Sequence, residues 1–333
     1  MKKTLIIDGN NLLSIGFNAV NFFYKNQHIG GLFHFMNVVR KLINEHNFDK
    51  IIVFWDGEGY KDIKQKYYPN YKAKRKKKFD VSSEKSFERQ KKRIQQYLEE
   101  VFIRQVEIPK QEADDIISYY CQISEDEKKI ILSSDKDLLQ LINENTDVYN
   151  PIEKKIYGIG SKITLKNNKL LPVQNILTYK IFLGDKSDNI DGIQSLGETK
   201  FFKFFPEIFD RTVNFMDILT KTNEIAKVNK TSVIKNILSG KRKNQNENEE
   251  YYNINLKLMD LSIALLKEES IKIVNEIKNE PLEATGRGHK NMMTMMMEDG
   301  LFKFLIKEDN GWSEFIHPFL KIIRKETAFK KII

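Results

Sequence analysis

Short apolar runs alternate with stretches of helical period along the first half of the chain. Thr4 to Ile7 is too short for a helix and is followed by Asp8-Gly9-Asn10-Asn11, so it predicts a buried strand that ends in a turn with Asp8 at its tip. From Gly31 to Glu45 apolar residues fall at Leu32, Phe35, Met36, Val39, Leu42 and Ile43, the spacing of a crossover helix. Ile51 to Trp55 is the next strand and presents Asp56. Ser86 to Phe102 returns to helical period with Ile94, Tyr97, Leu98 and Val101 on one face, and Ile116, Ile117 and Tyr120 begin another helix. Strand Lys129 to Leu132 leads to a helix starting at Leu138, Leu139, Leu141 and Ile142; Val148 to Pro151 and Lys155 to Tyr157 are short strands that finish the sheet. Pro172 opens a helix that runs to Leu183. This strand–helix–strand grammar predicts an α/β fold on a parallel sheet. Further on, Leu256 to Leu266, Met292 to Phe304 and Phe315 to Ile323 carry short helical patterns; the run Met292 to Met297 fits either core filler or an adaptable partner surface.

Composition narrows the class. A chain of 333 residues with 41% hydrophobic content can form one large or two modest globular domains. Lys plus Arg number 55 against 46 Asp plus Glu, and the pI near 9.2 points to a polyanionic partner. The single Cys121 excludes an intramolecular disulfide and a cysteine metal cluster, and it reads as core. With no uncharged stretch of roughly 18 residues, the expectation is a soluble cytosolic protein with no membrane partner.

The cations are concentrated. Between Tyr60 and Lys92, Lys61, Lys64, Lys66, Lys72, Lys74, Arg75, Lys76, Lys77 and Lys78 are interleaved with Tyr67, Tyr68 and Tyr71, a composition from which no core is expected. A solvated charge run would look like this; the tyrosines favour nucleic acid, because rings stack on exposed bases while cations neutralise phosphates. Lys241 to Tyr252 is polar, lacks apolar period and reads as a surface loop.

Against this basic background stands Gln111 to Asp115, with three carboxylates in five residues where a helical pattern begins. Alone, it is an acidic first turn favoured by the helix dipole. Further acidic motifs, however, end the apolar runs Ile6-Ile7-Asp8, Val53 to Asp56 and Ile130 to Asp137, and open α/β sheets place their sites at the carboxyl ends of parallel strands. Asp185 and Asp188 in Gly184 to Asn189 complete the set. Carboxylates converging on one crevice repel one another unless divalent cations hold them, and oxygen ligands suit Mg²⁺ or Mn²⁺. Directly behind lie Gly192 and Gly197 with Lys200 at a helix start, where glycines let the backbone approach a phosphate.

Taken together, Ile7-Asp8-Gly9-Asn10, Trp55-Asp56-Gly57, Tyr71-Lys72, Glu112 to Asp115, Ser134 to Asp137 and Gly184 to Asn189 form an ordered set that resembles the flap endonuclease and 5′-nuclease superfamily over about residues 1 to 210. Length, Gly-Asp-Lys-x-Asp-Asn and the basic Tyr-Tyr segment are most similar to its bacteriophage ribonuclease H type. The resemblance implies a PIN-like nuclease domain over 1–175 with a basic arch at about 60–92, then a helical domain over 176–333 with a helix-three-turn-helix (helix-hairpin-helix) motif at about 182–205. It implies a first metal cluster of Asp8, Asp56, Glu112 and Asp114 with Asp115 beside them, and a second of Asp135, Asp137, Asp185 and Asp188. Tyr71, Lys72 and Arg75 fall where the family acts on the scissile phosphate; Lys74, Lys76, Gly192, Gly197 and Lys200 fall where it binds DNA. The family's glycine turn can also hold K⁺ on backbone carbonyls, but here Ser195 replaces its middle glycine, and Ile193 and Leu196 would supply the oxygens.

In function, the resemblance implies a Mg²⁺-dependent monomeric nuclease, acting in the host cytoplasm if phage-encoded. Its partners would be 5′-flap, nicked or forked DNA and RNA·DNA hybrids, with a single-strand-binding protein or sliding clamp as a further candidate. Two rivals share parts of the pattern: a PIN-type ribonuclease on single-stranded RNA and a catalytically silent branched-DNA-binding protein.

Overall fold

The computed structural model describes residues 1–73, 81–243, 250–279, 282, 286–306 and 311–328. In chain order the first half contains β1 (Lys2–Asp8), α1 (Gly9–Ala19), the hairpin β2 (Phe23–Tyr24) and β3 (Gln27–His28), α2 (Gly30–Glu45), β4 (Lys50–Asp56), α3 (Asp62–Tyr67), α4 (Val81–Glu100), β5 (Arg104–Ile108), α5 (Ala113–Ile123), β6 (Glu127–Leu132), β7 (Thr146–Asn150) and β8 (Lys155–Tyr157). The hairpin β9 (Lys162–Thr164) and β10 (Leu170–Pro172) leads to α6 (Ile176–Leu183), the short pair β11 (Gly184–Asp185) and β12 (Ile190–Asp191), and α7 (Glu198–Phe204). Among the described residues that follow, the regular elements are helices: α8 (Phe215–Ala226), α9 (Ser232–Ser239), α10 (Tyr251–Met259), α11 (Glu268–Asn279), α12 (His289–Glu298), α13 (Phe302–Leu305) and α14 (Gly311–Ala328).

The expected α/β class is the one observed. Six strands lie in the order β5-β4-β1-β6-β7-β8, with the first five parallel and β8 antiparallel to β7. Because side chains alternate across a strand, the sheet builds two cores. Ile6, Ile52, Phe54, Ile131 and Val148 pack with α5, α6 and α7, while Leu5, Ile7, Val53, Trp55 and Leu132 pack with α1, α2 and α4. Both faces are therefore covered, which explains the unbroken apolar runs of the parallel strands. The C-terminal segment returns to the second face: Met292 and Met296 of α12, Leu301, and Phe315, Phe319 and Ile322 of α14 are buried in that core. Those two methionines are thus core filler, while Met297 is exposed.

Several local expectations are corrected. Asp8-Gly9-Asn10-Asn11 does not make a turn, since the Asp8 carboxylate caps α1 directly by accepting from the Asn11 amide at 3.1 Å. The helix expected from Leu138 is a 3-10 turn over Asp137–Leu141. The basic segment does contribute to a core: Lys64, Tyr68, Tyr71 and Lys72 are buried, because carboxylates and a guanidinium wait for them there. Arg242 and Tyr251, assigned to a surface loop, are buried as well. Lys74, Arg75, Lys76, Lys77 and Lys78 lie outside the described residues.

Crossovers leave β1 for β4 on one side, and β6 pairs on the other, so a crevice opens at the carboxyl ends of these three strands. At the opposite end, the buried Glu127 carboxylate accepts from Lys50 Nζ at 2.7 Å, Thr4 Oγ1 at 2.6 Å and Tyr120 OH at 2.9 Å, tying β6 to β4 across β1. Burial alone would raise the Glu127 pKa, but bonds from Lys50 and Thr4 overcome it and the net direction is down; burial lowers that of Lys50. The Glu127 carboxylate therefore stabilises the fold above its unfolded pKa, and this is lost as pH falls through the lower folded value. Glu127→Ala strands a buried ammonium and should cost about 3–5 kcal/mol in urea unfolding. A loss below about 1 kcal/mol, typical of an exposed pair, would contradict this role for Glu127.

Candidate metal centre

Three strand ends and the start of α5 build the centre. Asp8, at the tip of β1, also accepts from Ser133 Oγ at 2.9 Å, which joins it to the end of β6. Asp56, at the tip of β4, accepts from the Ala113 amide at 2.9 Å and so stitches β4 to the first turn of α5. Next to it, Gly57 lets the end of β4 pass close to the end of β5, where a Cβ would sit 1.8 Å from the Ile108 carbonyl oxygen. Glu112 is the N-cap residue of α5, and Asp114 and Asp115 lie in its first turn. The acidic first turn and the convergent cluster are thus the same residues.

One oxygen from each of Glu112, Asp114 and Asp115 lies within 4.8 Å of the others, and the same holds for Asp137, Asp185 and Asp188. Asp8 and Asp56 stand beside the first triad without belonging to it; the charge of Asp56 acts on Asp8, and that of Glu112 on Asp56. Asp135 is exposed and lies outside both triads; its carboxylate accepts from the Asp137 amide at 2.9 Å and its charge reaches Asp8.

Buried lysines offset part of this negative charge. Lys64, 3% exposed, lies 2.7 Å from Glu112, 3.1 Å from Asp115 and 4.0 Å from Asp114. Lys72 donates to Glu112 and lies 3.8 Å from Asp188, so its ammonium bridges the two triads. Tyr71 OH donates to Glu112 at 2.8 Å, and Lys180 donates to Asp137 and, at 2.6 Å, to Asp185. The Lys72 backbone is in the left-handed region at φ 52° and is held there by its amide, which donates to the Asp188 carbonyl at 2.7 Å.

Electrostatics divides the carboxylates. Burial alone would raise Glu112, but Lys64 and Lys72 bring its pKa down to about 2. Asp8 is pushed up to about 7 by burial and by the charge of Asp56, and Asp56 is raised by burial and by Glu112. Burial raises Asp114 and Asp115 despite Lys64, and pushes Asp137 up to about 7 despite Lys180. Burial alone would lower Lys64 and Lys72, but the carboxylates around them outweigh it and raise both ammonium groups, keeping them charged. An all-oxygen donor set that still carries unrelieved like-charge repulsion fits a hard divalent cation.

Behind the second triad, α6, the turn and α7 form a compact unit. Gly192 packs against the end of α6, where a Cβ would lie 2.4 Å from the Leu183 carbonyl group, while nothing lies within 4 Å of a Cβ at Gly197. Ser195 adopts φ 62°, and Lys200 Nζ donates to its carbonyl at 3.1 Å.

Sequence reasoning did not single out Lys64, Lys180, Ser133 or Asn11 as parts of the centre. Lys64 was hidden in a basic run and Lys180 in an apolar helix; only Asn11 carried a signal, three residues after Asp8 at cap spacing. Among the described residues no helix is long and apolar enough to cross a membrane.

Residues 3–168 match the family model described as the 5′-3′ exonuclease N-terminal resolvase-like domain. A 5′-3′ exonuclease of Mycoplasmopsis pulmonis is 31% identical over 233 residues, covering 70% of this chain and 75% of that protein. DNA polymerase I of Streptococcus pneumoniae is 32% identical over 212 residues, which are 59% of this chain but 23% of the polymerase. Among solved structures, a flap endonuclease of bacteriophage T5 in a pseudo-enzyme–product complex with DNA and metal ions superposes with TM-score 0.60 at 18% identity, covering 84% of this chain and all of that one. Matched over residues 3–168 by the family model and over most of the length of a relative, the chain belongs to the 5′-3′ exonuclease family of nucleases.

Proposed function

We propose that the chain is a Mg²⁺-dependent, structure-specific 5′-nuclease that cuts branched DNA and RNA·DNA duplexes, serving RNA primer or flap removal in replication. The observation that carries the reading is the pair of carboxylate triads bridged by Lys72 at the strand ends, with a glycine turn directly behind them. The first ion would be held among Asp8, Asp56, Glu112, Asp114 and Asp115, the second among Asp135, Asp137, Asp185 and Asp188, with Mn²⁺ as substitute. Two divalent ions supply a polarised phosphate and an activated water, which is the chemistry phosphodiester hydrolysis requires.

Around them the chain's own residues position and stabilise. Lys72 places a fixed ammonium where negative charge develops, and Tyr71 holds Glu112 in place. Arg75, Lys74 and Lys76 belong to the arch at about 60–92, which we assign to the unpaired 5′ strand. Gly192, Gly197 and Lys200 are assigned to the duplex. The division into a nuclease domain at 1–175 and a helical domain at 176–333 belongs to this reading, as do a monomeric state and docking to a single-strand-binding protein or sliding clamp. A potassium ion at the glycine turn also belongs to it and would be held on the Ile193 and Leu196 carbonyls; beside them the Ser195 carbonyl accepts from the Lys200 ammonium at 3.1 Å.

Support for DNA as the polyanion comes from the T5 neighbour, whose complex contains DNA, and support for replication from the polymerase I relative. Competition separates this reading from a single-strand ribonuclease. With equimolar 5′-flap DNA and unstructured RNA of equal length, the flap should be consumed first by at least about tenfold, since only it offers a duplex to the turn. Preferential loss of the RNA would replace the proposal with the ribonuclease reading.

Substitutions test the centre itself. Asp8→Asn keeps the cap of α1 and, like Asp114→Asn, should reduce cleavage by about 100-fold or more while DNA affinity is kept or tightened, because a carboxylate near phosphate has been neutralised. Wild-type turnover in either variant at saturating Mg²⁺ would remove that residue from the centre.

Cation roles separate in the same assay. Lys72→Ala should lower single-turnover cleavage by about 100- to 1000-fold with little change in Kd, as for a group that acts on the transition state. Lys200→Ala should weaken binding and spare the single-turnover rate at saturation. A Lys72→Ala variant changed only in Kd would make Lys72 an ordinary phosphate contact.

A further inference from the structure

Arg242 is 1% exposed, yet its guanidinium donates to neutral acceptors, the Asn255 amide oxygen at 2.9 Å and the Asp191 carbonyl at 3.5 Å. A buried guanidinium needs compensation, and here two aromatic faces supply it. The guanidinium carbon lies 4.5 Å from the centroid of Tyr68 and 4.7 Å from that of Tyr251. Asn255 and Tyr251 both bond the Ile181 carbonyl, at 3.2 and 2.8 Å, so the floor of the sandwich is fixed to α6.

The two ends of this residue reach two different parts of the proposed machinery. Its backbone lies in an extended segment paired with the glycine turn: Arg242 bridges Ile193, the Gln194 amide donates to the Lys241 carbonyl at 2.8 Å, and the Lys243 amide donates to the Gly192 carbonyl at 3.0 Å. Its side chain ends on Tyr68, which opens the loop carrying Tyr71 and Lys72. There the Tyr71 amide donates to the Tyr68 carbonyl at 2.8 Å, Tyr71 OH and Lys72 Nζ donate to Glu112, and Lys72 sits in its left-handed backbone conformation. A non-glycine residue in that conformation persists only where its surroundings hold it.

We propose that Arg242 is a positioning residue that ties the duplex-binding turn to the Tyr71–Lys72 loop, so that a turn engaged on duplex fixes the Lys72 ammonium at the carboxylate centre. This rests on the nuclease reading and on Lys72 as a group acting at the scissile phosphate. Rigid contact between the elements is what the link requires, and the Tyr68–Arg242–Tyr251 stack provides it without touching substrate. Arg242 would then act on the rate of the chemical step through Lys72, and hardly on affinity.

Arg242→Met keeps an unbranched apolar stem between the rings and removes the planar cation. With wild-type protein, Arg242→Met, Lys72→Ala and the double variant, single-turnover cleavage of a 5′-flap duplex in Mg²⁺ is measured beside flap binding in Ca²⁺. The expected result is a rate about three- to thirtyfold lower for Arg242→Met, the range for residues carrying coupling between sites, with Kd within about twofold. In the Lys72→Ala background the same substitution should cost nothing further, because the group it positions is gone. Equal losses in both backgrounds, or a raised Kd with an unchanged rate, would overturn the link. If Lys72→Ala loses cleavage while Arg242→Met keeps it, the nuclease reading stands and the link falls; if Lys72→Ala cleaves at the wild-type rate, the Lys72 role fails and takes the link with it. Should Arg242→Met not fold, Tyr68→Leu removes the other side of the stack and is judged by the same rate, Kd and background criteria.

Discussion

Repulsion among carboxylates gathered at one end of a parallel sheet is the constraint on which the structure turns. Two triads of carboxylate oxygens within 4.8 Å of one another, with Asp8 and Asp56 beside them, would not persist in a buried crevice unaided. Lys64, Lys72 and Lys180 supply internal positive charge, and they do so unevenly. Glu112, which takes bonds from Lys64, Lys72 and Tyr71, is held ionised, while Asp8 and Asp137 remain pushed toward neutral pH. The uneven balance leaves carboxylates whose charge still calls for a cation, which is how a protein can keep a preformed site stable and yet receptive to divalent ions.

The rest of the chain holds that arrangement rigid. Covering both faces of the sheet fixes the strand tips relative to one another, and the buried Lys50–Glu127 pair does the same at the far end. Hydrogen bonds then lock three of the acidic residues to neighbouring elements: Asp8 to Ser133, Asp56 to Ala113, and Asp188 through its carbonyl to Lys72. The helices after Tyr251 divide their work, with α10 and α11 on the face that carries α5 and α12 and α14 on the face that carries α2. Placing one C-terminal segment on each face binds the second half of the chain to the sheet that builds the centre.

Much of this was readable from local pattern. Apolar runs ending in aspartate identify strand tips, and glycines five apart behind an acidic motif identify the turn, because both signals come from backbone and burial requirements that act within a few residues. Buried cations were not readable. Lys64, Lys180 and Arg242 carry residue types that normally face water, and only the carboxylates or ring faces brought to them by tertiary structure make their burial favourable. Helix α1 was missed because Gly9-Asn10-Asn11 has turn chemistry, which the Asp8 cap overrides. Which sheet face receives α12 and α14 is likewise a tertiary choice, since an amphipathic pattern states that a face is buried but not against what.

The proposed activity stands or falls on whether these carboxylates form a divalent-ion centre that cuts at the junction of single and double strand. The decisive experiment is product mapping on a 5′-flap duplex labelled at its 5′ end, with Mg²⁺ titrated from an EDTA-treated start. A centre of this kind yields no product in EDTA and, with rising Mg²⁺, products that end within a nucleotide or so of the junction, where a gripped duplex presents its phosphate. Cleavage that persists in EDTA, or products spread along the unpaired strand without regard to the junction, would contradict it.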